Sequence, residues 1–464
     1  MSLFTHAEEN WKAEGGPVRI LAASGQLGYG VIEPSFRRGL ERDLHLIGAD
    51  MGSVDPGPYY LGAGEMAPAR RSAKRDLKML LTAALSHKVP LIVGSAGTGG
   101  GNAHLDATME IVAEILKEER LSCRVATIGA EIPRDLIKRQ RAAGKLHPIG
   151  PIAEPSDEEI DAAACIVGQM GLEAFERAIE AGADVIIAGR ACDTAIYASL
   201  PARLGFPLGP AFQMAKIIEC ASLCCEGGGR DAMLGTLEGD SFILESMGEN
   251  RCATPMSVAA HGLYEQADPL SVTEPEGTLR LADSKFEAVD ERRCRVSGGR
   301  WEPARQFSVK IEGATRVGAR AVYFAGSADP VFIEKTGEIA AGVEAMVRDL
   351  VPPLDPARPY DLYFRFYGLG AVSNRPVDHV PEEVGVLVEC IAESQEEAHA
   401  VVASVKQYLL HAAFPERIST AGNLAFPFTP PELAAGDAYR FSVYHVMEVD
   451  ELAPLFPVTV HDIG

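Results

Sequence analysis

The chain has 464 residues, a formal net charge of −22 and a hydrophobic fraction of 47%. This composition is typical of a globular protein and excludes a disordered or fibrous one, and the length favours two domains or one large domain with an added layer. Because so negative a surface repels nucleic-acid backbones and acidic lipids, we expect no nucleic-acid partner and no membrane partner.

The N-terminus and the cysteines predict the cellular compartment. No basic start is followed by an apolar run, and no later stretch offers about 18 uninterrupted apolar residues. The nine cysteines are too sparse for a disulfide framework, and Cys220, Cys224 and Cys225 lack the paired spacing of a zinc site. We therefore expect a cytoplasmic protein whose cysteines pack in the core.

Residues 16–300 alternate short apolar runs with helical patterns. The runs begin at Val18, His45, Pro90, Arg124 and Asp184, and a glycine follows each of them. Continuous β-branched runs are typical of parallel strands that are buried on both faces. We predict an N-terminal α/β ligand-binding domain over 16–300, with a mainly parallel sheet and helices on both faces.

One helix in this region has a clear start. Ser156 and Glu159 have the spacing of a capping box, in which each side chain satisfies a free amide at the helix start. The apolar positions that follow predict a single helix over about 157–181, which Gly182 ends.

After about residue 300 the pattern changes to paired strands and helices. We predict strands over 306–312, 319–325, 362–367, 385–391 and 439–446, and helices near 334–350 and 394–411. This order is typical of an α+β layer. It predicts a C-terminal α+β domain over 301–464.

The strongest candidate for a binding site is the glycine-rich turn 94–104. Ligands bind at the carboxyl ends of the strands in open parallel sheets, and glycines allow the positive φ angles that turn successive amides toward an anion before a helix begins. A merely tight turn is the alternative, and the spacing matches neither a P-loop nor a dinucleotide fingerprint. The predicted anion-binding residues are Ser95, Gly97, Thr98, Gly99, Gly100, Gly101 and Asn102.

Two earlier loops extend the predicted site. Ser24, Gly25 and Gln26 belong to a second glycine-rich turn after the first strand, which lets a ligand approach the backbone closely. The long loop that carries Asp50, Asp55 and Tyr59 offers acid/base and hydrogen-bonding groups. An ordered cover loop, with the aspartates as turn residues, is the alternative.

The segment 188–194 places charged and hydroxyl groups at the same edge. Arg190 can hold a carboxylate through its guanidinium fork, beside Asp193 and Thr194. Alternatively Arg190 pairs with Asp193, and Thr194 caps a helix. Glu131 follows a further strand and joins the candidates.

His104 is our first choice for the acid/base group. It lies near a predicted helix start, where the helix dipole favours the neutral imidazole. The alternative is a structural histidine bonded to a nearby carbonyl. His261 and His445 have weaker support, because a single histidine in a strand or turn is usually structural.

The sequence motifs bear on a metal site and on several common enzyme classes. Asp50, Asp55, Glu131 and Asp193 offer the oxygen ligands that Mg²⁺ prefers, although no spacing demands a metal. The sequence contains no HExxH motif, no GxSxG elbow and no signature of a nucleophilic cysteine. We therefore do not expect a zinc protease or a common serine hydrolase.

Three segments carry a family resemblance. Residues 48–62, 94–101 and 187–195 resemble the acyclic terpene utilisation family AtuA, and the likeness spans about 18–430. The resemblance implies a bacterial catabolic setting among enzymes of acyl-CoA and branched acids. Longer members carry a small ferredoxin-like domain that this sequence lacks, so we expect a small ferredoxin-like partner subunit in a homo- or hetero-oligomer.

These features lead to a functional hypothesis with two alternatives. We expect a carbon–oxygen lyase, a hydratase or dehydratase of a small carboxylate or acyl-CoA, in which His104, Asp193 or Asp55 moves the proton and Arg190 stabilises an enolate. A non-catalytic acyl-CoA or nucleotide-binding component would use the same turn without a general base. A hydrolase with a metal-bound water is the third possibility.

Overall fold

The computed structural model describes residues 1–264, 268–417 and 422–464. The chain forms two compact units, Met1–Thr315 with Phe441–Gly464, and Arg316–Arg440. We predicted a boundary at 300 and a C-terminal domain that continues to 464. In the structure the chain leaves the first unit after Thr315 and returns to it at Phe441, because its last strands pair with strands of the first unit.

The first unit contains most of the secondary structure. Its helices are α1 (Leu3–Glu14), α2 (Glu33–Leu40), α3 (Tyr59–Ala63), α4 (Arg70–His87), α5 (Asn102–Glu119), α6 (Arg134–Ala142), α7 (Asp157–Ala162), α8 (Leu172–Glu180), α9 (Asp193–Arg203), α10 (Leu208–Ile218), α11 (Pro255–Gly262) and the 3₁₀ turns Ala221–Cys224 and Ala453–Leu455. Its strands are β1 (Val18–Ala22), β2 (Leu46–Asp50), β3 (Leu91–Gly94), β4 (Cys123–Ile128), β5 (Leu146–Pro148), β6 (Cys165–Gly168), β7 (Val185–Ala188), β8 (Met233–Glu238), β9 (Ser241–Ser246), β10 (Ser271–Glu274), β11 (Gly277–Arg280), β12 (Lys285–Ala288), β13 (Arg293–Ser297) and β14 (Arg300–Pro303).

The remaining elements belong to the second unit or continue from one unit into the other. They are β15 (Phe307–Ser327), α12 (Pro330–Glu334), α13 (Thr336–Leu350), β16 (Asp361–Tyr367), β17 (Val384–Ala392), α14 (Gln395–Leu410) and β18 (Leu433–Val449), and β19 (Val458–Ile463) ends the chain in the first unit. Helices α13 and α14 match the predicted helices. The strands predicted at 306–312 and 319–325 are both parts of β15.

The main sheet of the first unit is mixed. Its ten strands have the order β12-β13-β9-β8-β1-β2-β3-β7-β4-β19. The five predicted apolar runs form β1, β2, β3, β7 and β4, which pair parallel with one another. The outer strands pair antiparallel, so the prediction of a mainly parallel sheet was only partly right. Strand β9 alternates buried and half-buried residues, as antiparallel strands do.

Helices cover both faces of the parallel strands. Neighbouring residues of one strand point to opposite faces, so Ile92 joins one hydrophobic cluster and Val93 joins the other. Phe175 of α8 and Phe212 of α10 pack in the first cluster, and Leu80 of α4 packs in the second. This arrangement confirms the predicted layers around the parallel strands and brings the loops after β2, β3 and β7 to one edge.

The predicted helix over 157–181 is two helices with a strand between them. The capping box of Ser156 and Glu159 is present and starts α7. The chain then forms β6, which pairs antiparallel with residues 311–314 of β15, before α8 begins. A pairing over so long a sequence separation leaves no trace in the local helical period.

The second unit contains an antiparallel sheet and a hydrophobic core of its own. Residues 319–327 of β15 pair with β17, which also pairs with β16. Val343 of α13 and Val401 of α14 pack against Val386 of β17 in this core. Across the described residues of both units, every helix is too short or too polar to span a bilayer.

Candidate functional site

The first glycine-rich loop binds a carboxylate of the protein itself. The amides of Gly28 and Gly30 donate to Asp76 Oδ2 at 3.0 and 2.9 Å, and the amide of Val31 donates to Asp76 Oδ1 at 3.3 Å. Asp76 lies on α4 and is fully buried, and Arg75 donates to it as well. The loop is therefore a carboxylate-binding loop whose anion is internal.

The three residues predicted as ligand contacts in this loop also make internal contacts. The hydroxyl of Ser24 donates to the carbonyl of Gln26 at 3.0 Å. A Cβ on Gly25 would lie 2.7 Å from the carbonyl oxygen of Cys220, so the glycine permits close packing of two chain segments. These contacts explain the glycine pattern without a ligand.

Residues 94–101 of the predicted anion nest are buried, whereas Asn102 and Ala103 are exposed, and several of the nest amides donate to protein acceptors. The donor–acceptor pairs are Ser95 N to Gly189 O (3.0 Å), Ala96 N to Ala188 O (2.9 Å), Gly97 N to Met51 Sδ (3.3 Å), Thr98 N to Ser95 O (2.8 Å) and Gly100 N to Ala96 O (3.0 Å). These five amides are therefore engaged within the protein, and anion binding by the turn stays a prediction. The alternative of a tight turn describes them better.

Close packing also explains two of the glycines in this turn. A Cβ on Gly100, whose φ is +68°, would lie 2.2 Å from the amide nitrogen of Arg190. A Cβ on Gly99 would lie 2.6 Å from Nε2 of His104. The glycines at these positions let neighbouring groups approach the turn.

A carboxylate of the protein itself, that of Glu131, also lies at the start of helix α5. Gly101 is the N-cap residue, and the amide of Asn102 donates to Glu131 Oε1 at 2.7 Å. A carboxylate at this end of a helix is favoured by the free amides and by the helix dipole. Glu131, which we predicted as a ligand contact, fills the position that we assigned to a ligand.

His104 lies in a structural environment. Its side chain is 1% exposed, and Nε2 lies 2.9 Å from the carbonyl oxygen of Tyr60. Burial lowers the pKa of His104 and keeps the ring neutral. These contacts match the alternative of a histidine bonded to a carbonyl, and His104 is not among the residues that line the cavity described next. Tyr59, the neighbour of Tyr60, donates to Glu65 at 3.4 Å.

A polar cavity of about 580 Å³ lies beside the segment 190–194 of the first unit. It brings together four of the predicted residues, Asp55, Arg190, Asp193 and Thr194, with groups that the sequence did not single out. The charged lining residues are Asp55, Arg190, Asp193, Lys216, Glu219, Glu274 and Lys310, and the polar ones include Ser53, Gln169, Cys192, Thr194, Thr273, Ser308 and Tyr444. This cavity is the candidate functional site.

The guanidinium of Arg190 is engaged by the protein. Its Nε donates to Glu312 Oε2 at 2.8 Å, and its Nη1 donates to Ser95 Oγ at 3.2 Å. Lys310 pairs with the other oxygen of Glu312 at 2.9 Å. Although burial opposes it, the positive charges of Arg190 and Lys310 lower the pKa of Glu312. The guanidinium of Arg190, which we predicted to hold a ligand carboxylate, thus binds the carboxylate of Glu312 in β15.

Glu274, at the end of β10, is a buried carboxyl on the cavity wall. Its Oε1 accepts a hydrogen bond from the Thr194 hydroxyl at 2.5 Å, and its Oε2 has no hydrogen-bond partner in the described part of the chain. Burial, followed by the charge of Asp193, raises the pKa of Glu274 to about 7, although Thr194 and Cys192 work in the opposite direction. Thr194 therefore does not cap α9, whose N-cap residue is Cys192.

Lys216 and Glu219 form a buried ion pair on the same wall. Lys216 Nζ lies 2.6 Å from Glu219 Oε1. Burial raises the pKa of Glu219 to about 8, although the charge of Lys216 works in the opposite direction. The sequence carried a signal for this pair, because Lys216 interrupts the otherwise apolar C-terminal part of α10 and Glu219 follows it by three residues, at the C-cap.

The aspartates of the predicted metal set have different surroundings. Asp50 is 3% exposed, and its Oδ2 accepts from the amide of Gly52 at 2.5 Å. Burial, followed by the charge of Asp193, raises the pKa of Asp50 well above its usual range. Asp55 accepts from the Ser53 hydroxyl at 2.6 Å. In residues 1–264, 268–417 and 422–464, no three His, Cys, Asp or Glu side chains are grouped to hold a metal ion, and Mg²⁺ stays a prediction.

Comparison with known proteins identifies the family. The model of the family described as "Acyclic terpene utilisation family protein AtuA" matches residues 70–420, which is most of the chain. No curated protein and no solved structure matches the chain. The chain belongs to the acyclic terpene utilisation family AtuA.

Proposed function

We propose that the protein is a carbon–oxygen lyase that adds or removes water at a double bond next to a carboxylate or thioester, with the polar cavity as its active site. Membership of the AtuA family suggests a role in acyclic terpene utilisation, and a catabolic enzyme fits that role. The observation that carries the proposal is Glu274, a buried carboxyl on the cavity wall with one unpartnered oxygen and a pKa of about 7.

Dehydration needs one group that accepts a proton and one that donates a proton. The C–H bond next to the carbonyl breaks and its proton goes to a base, while the C–O bond at the next carbon breaks and the hydroxyl leaves as water with a proton from an acid. A carboxyl with a pKa near neutral is suited to the acid. Glu274 takes this role, and Asp193, on the same wall, is the base.

Two lysines on the wall supply positive charge for the substrate carboxylate or thioester. Lys216 and Lys310 each pair with one glutamate, at 2.6 and 2.9 Å. An ammonium group has three donors, so each lysine can keep its partner and still donate to an oxygen of the substrate. Their charge would stabilise the enolate that forms as the proton leaves. Arg190 becomes a positioning residue, because its fork holds Glu312 and Ser95.

The test is turnover of a panel of branched 3-hydroxy acids and their acyl-CoA thioesters, followed as loss of one water by mass spectrometry. We expect Glu274→Gln to lower kcat by about 100-fold or more, because general acid catalysis contributes that much. Glu276→Gln is the matched control. Burial raises the pKa of Glu276 to about 7 as well, yet Glu276 accepts from the amide of Glu173 and does not line the cavity.

Two outcomes would overturn the proposal. One is a wild-type protein that turns over no compound of the panel, whether purified alone, with Mg²⁺, or co-purified from its host with the small subunit that we predict. The other is a Glu274→Gln variant with wild-type kcat. Tight binding of an acyl-CoA without turnover would favour the non-catalytic binding component instead.

A further inference from the structure

Two cations of the cavity wall share one carboxylate. Glu312 is fully buried, and its two oxygens contact Arg190 Nε at 2.8 Å and Lys310 Nζ at 2.9 Å. Both cations line the cavity. Although burial opposes it, the charges of Glu312 and then of Asp193 raise the pKa of Arg190. Because Arg190 is held by two carboxylates, Lys310 is the cation of this side whose charge is best placed to attract an anion.

The α10 side of the cavity has the opposite balance of charge. Lys216 pairs with Glu219 at 2.6 Å, and Glu274 lines the same wall. After burial, the charge of Asp193 contributes to the raised pKa of both Glu219 and Glu274. One positive charge on this side thus meets three carboxyl groups. An anionic group of a ligand is therefore favoured beside Lys310 rather than beside Lys216.

The ammonium group of Lys310 is held in place and still reaches the cavity. Its side chain is 26% exposed, and Nζ lies 4.6 Å from the centre of the Tyr444 ring. Although burial opposes it, the charge of Glu312 raises the pKa of Lys310, so the group stays protonated. An ammonium group has three donors, which leaves a donor for a ligand oxygen after Glu312 and Tyr444. A group that is already fixed loses little freedom when a ligand binds.

Apolar side chains lie beside this ammonium group. Ile149 and Val446 line the cavity together with Tyr444, whose ring Lys310 covers. The amide of Ile149 donates to the carbonyl of Tyr444 at 3.0 Å, where β5 pairs with β18. A carboxylate at Lys310 would therefore place the hydrocarbon chain of an acid against these side chains. The cavity volume of about 580 Å³ lies within the range of small-molecule sites.

A coenzyme A thioester fits this charge pattern less well than a free acid. The thioester carbonyl is neutral, and the phosphates of the coenzyme would approach a chain of net charge −22. In the described part of the chain, the cations that line the cavity each contact a carboxylate of the protein. A phosphate dianion would need a second available cation at the same place. A carboxylate, with its single charge, matches one lysine.

We propose that Lys310 anchors the carboxylate of the substrate, which is a small free acid with an apolar chain rather than a coenzyme A thioester. The inference rests on the proposed function in taking the polar cavity as the active site. Lys310, which the sequence did not single out, is then the specificity-determining residue for the acid end. Lys216 stays beside Glu274 on the other side of the cavity. Recognition of the acid needs no turnover.

The test is calorimetric titration of the full chain at neutral pH with 3-methylbut-2-enoate and 3-methyloct-2-enoate, with their primary amides and with their coenzyme A thioesters. We expect the wild-type protein to bind each acid about 10-fold or more tightly than its amide, as a hydrogen bond between charged groups predicts. Lys310→Gln removes the charge and should reduce this ratio to about 2-fold or less. Equal binding of acid and amide by the wild-type protein, no binding of either acid, tightest binding of a thioester, or an unchanged ratio in Lys310→Gln would overturn the proposal.

Lys74→Gln is the matched control for this experiment. The side chain of Lys74 is also 26% exposed and contacts Glu114 and Glu118 at 3.1 and 2.6 Å, but it lies on α4 and does not line the cavity. We expect Lys74→Gln to keep the wild-type ratio. A ratio that falls equally in both variants would assign the effect to the net charge of the chain and overturn the proposal.

The wild-type protein provides a second readout, which does not depend on the folding of Lys310→Gln. In protein labelled with carbon-13 in lysine, each acid should shift the ε-carbon NMR signal of Lys310, which Lys310→Arg assigns. The amides should leave this signal unchanged. An acid that binds without shifting the signal of Lys310 would contradict the anchor.

The outcomes separate the carboxylate anchor from the proposed reaction. A preference for the acids that disappears in Lys310→Gln, without turnover of any compound, would keep the anchor and reject the lyase. Turnover of acyl-CoA thioesters without turnover of free acids would keep the lyase and reject the anchor.

Discussion

The glycine-rich turns and the cavity wall both gather polar groups at one edge of the first unit, and they differ in how those groups are satisfied. In the turns, amides meet internal partners, among them the carboxylates of Asp76 and Glu131. On the cavity wall, Glu274 keeps an unpartnered oxygen and a raised pKa. The satisfied groups stabilise the scaffold, whereas an unsatisfied buried carboxyl that also lines a cavity is a candidate for contact with a ligand.

The largest expected effect on stability comes from removing the Asp76 carboxylate, which the first glycine-rich loop binds. Asp76→Ala removes the acceptor of three loop amides and the partner of Arg75. We expect the free energy of unfolding, measured with denaturant, to fall by about 3 kcal/mol or more, because the buried donors lose their partner. Asp55→Ala, at an exposed residue, should change it by about 0.5 kcal/mol or less. A loss below about 1 kcal/mol in Asp76→Ala would contradict the claim that the satisfied polar groups of the glycine-rich turns stabilise the scaffold.

On the cavity wall, a substitution of the buried acid should stabilise the folded protein above neutral pH, in contrast to the loss expected for Asp76→Ala. Because the pKa of Glu274 is about 7 in the folded protein and about 4.5 in the unfolded chain, the folded protein holds the extra proton between these values. Its contribution to stability therefore falls as pH rises from about 4.5 to 7 and stays low above 7. We expect Glu274→Gln to be more stable than wild type at pH 8 by about 2 to 3 kcal/mol, and to lose this advantage near pH 4.5.

The control for this prediction separates thermodynamics from function. Glu276→Gln should show a similar pH-dependent gain in denaturant unfolding, because burial raises the pKa of Glu276 to the same value. Only Glu274→Gln should lose turnover. A stability difference between Glu274→Gln and wild type that does not change from pH 4.5 to pH 8 would show that Glu274 titrates normally.

The smallest expected effect concerns the start of α5. Glu131→Ala leaves the amide of Asn102 without its acceptor, and we expect a loss of about 1 kcal/mol in the free energy of unfolding, typical of a helix cap. Glu131→Gln keeps an acceptor oxygen and should lose less. If Glu131→Ala instead abolished ligand binding with unchanged stability, the turn at 94–104 would be a binding site after all.

Local sequence patterns predicted the parallel strands, because buried β-branched runs followed by glycine carry that information within a few residues. The glycine turns were predicted to bind an external anion, and in the structure amides of both turns donate to carboxylates of the protein itself. The sequence could not identify these carboxylates, because Asp76 lies 48 residues after Gly28 and Glu131 lies 29 residues after Asn102. A match between a loop and a distant side chain is a property of the folded chain.

The same reason explains what the sequence missed at the cavity. Glu312 meets Arg190 across 122 residues, and Glu274 meets Thr194 across 80. Before folding, Glu274 is one acidic residue among many in a chain of charge −22, and nothing near it in sequence marks its burial. The edge of the sheet at which the site lies was predictable from the strands, whereas Glu274 on the cavity wall was not.

The most direct test of the central claim is the pKa of Glu274 itself. Carboxyl-carbon NMR of protein labelled in glutamate, with Glu274→Gln and Glu276→Gln to assign the two signals, measures it without knowledge of the substrate. We predict that Glu274 titrates near pH 7 and that a bound hydroxy acid shifts its signal while leaving that of Glu276 unchanged. Titration of Glu274 below about pH 5, in the ordinary range of a glutamate, would contradict the account.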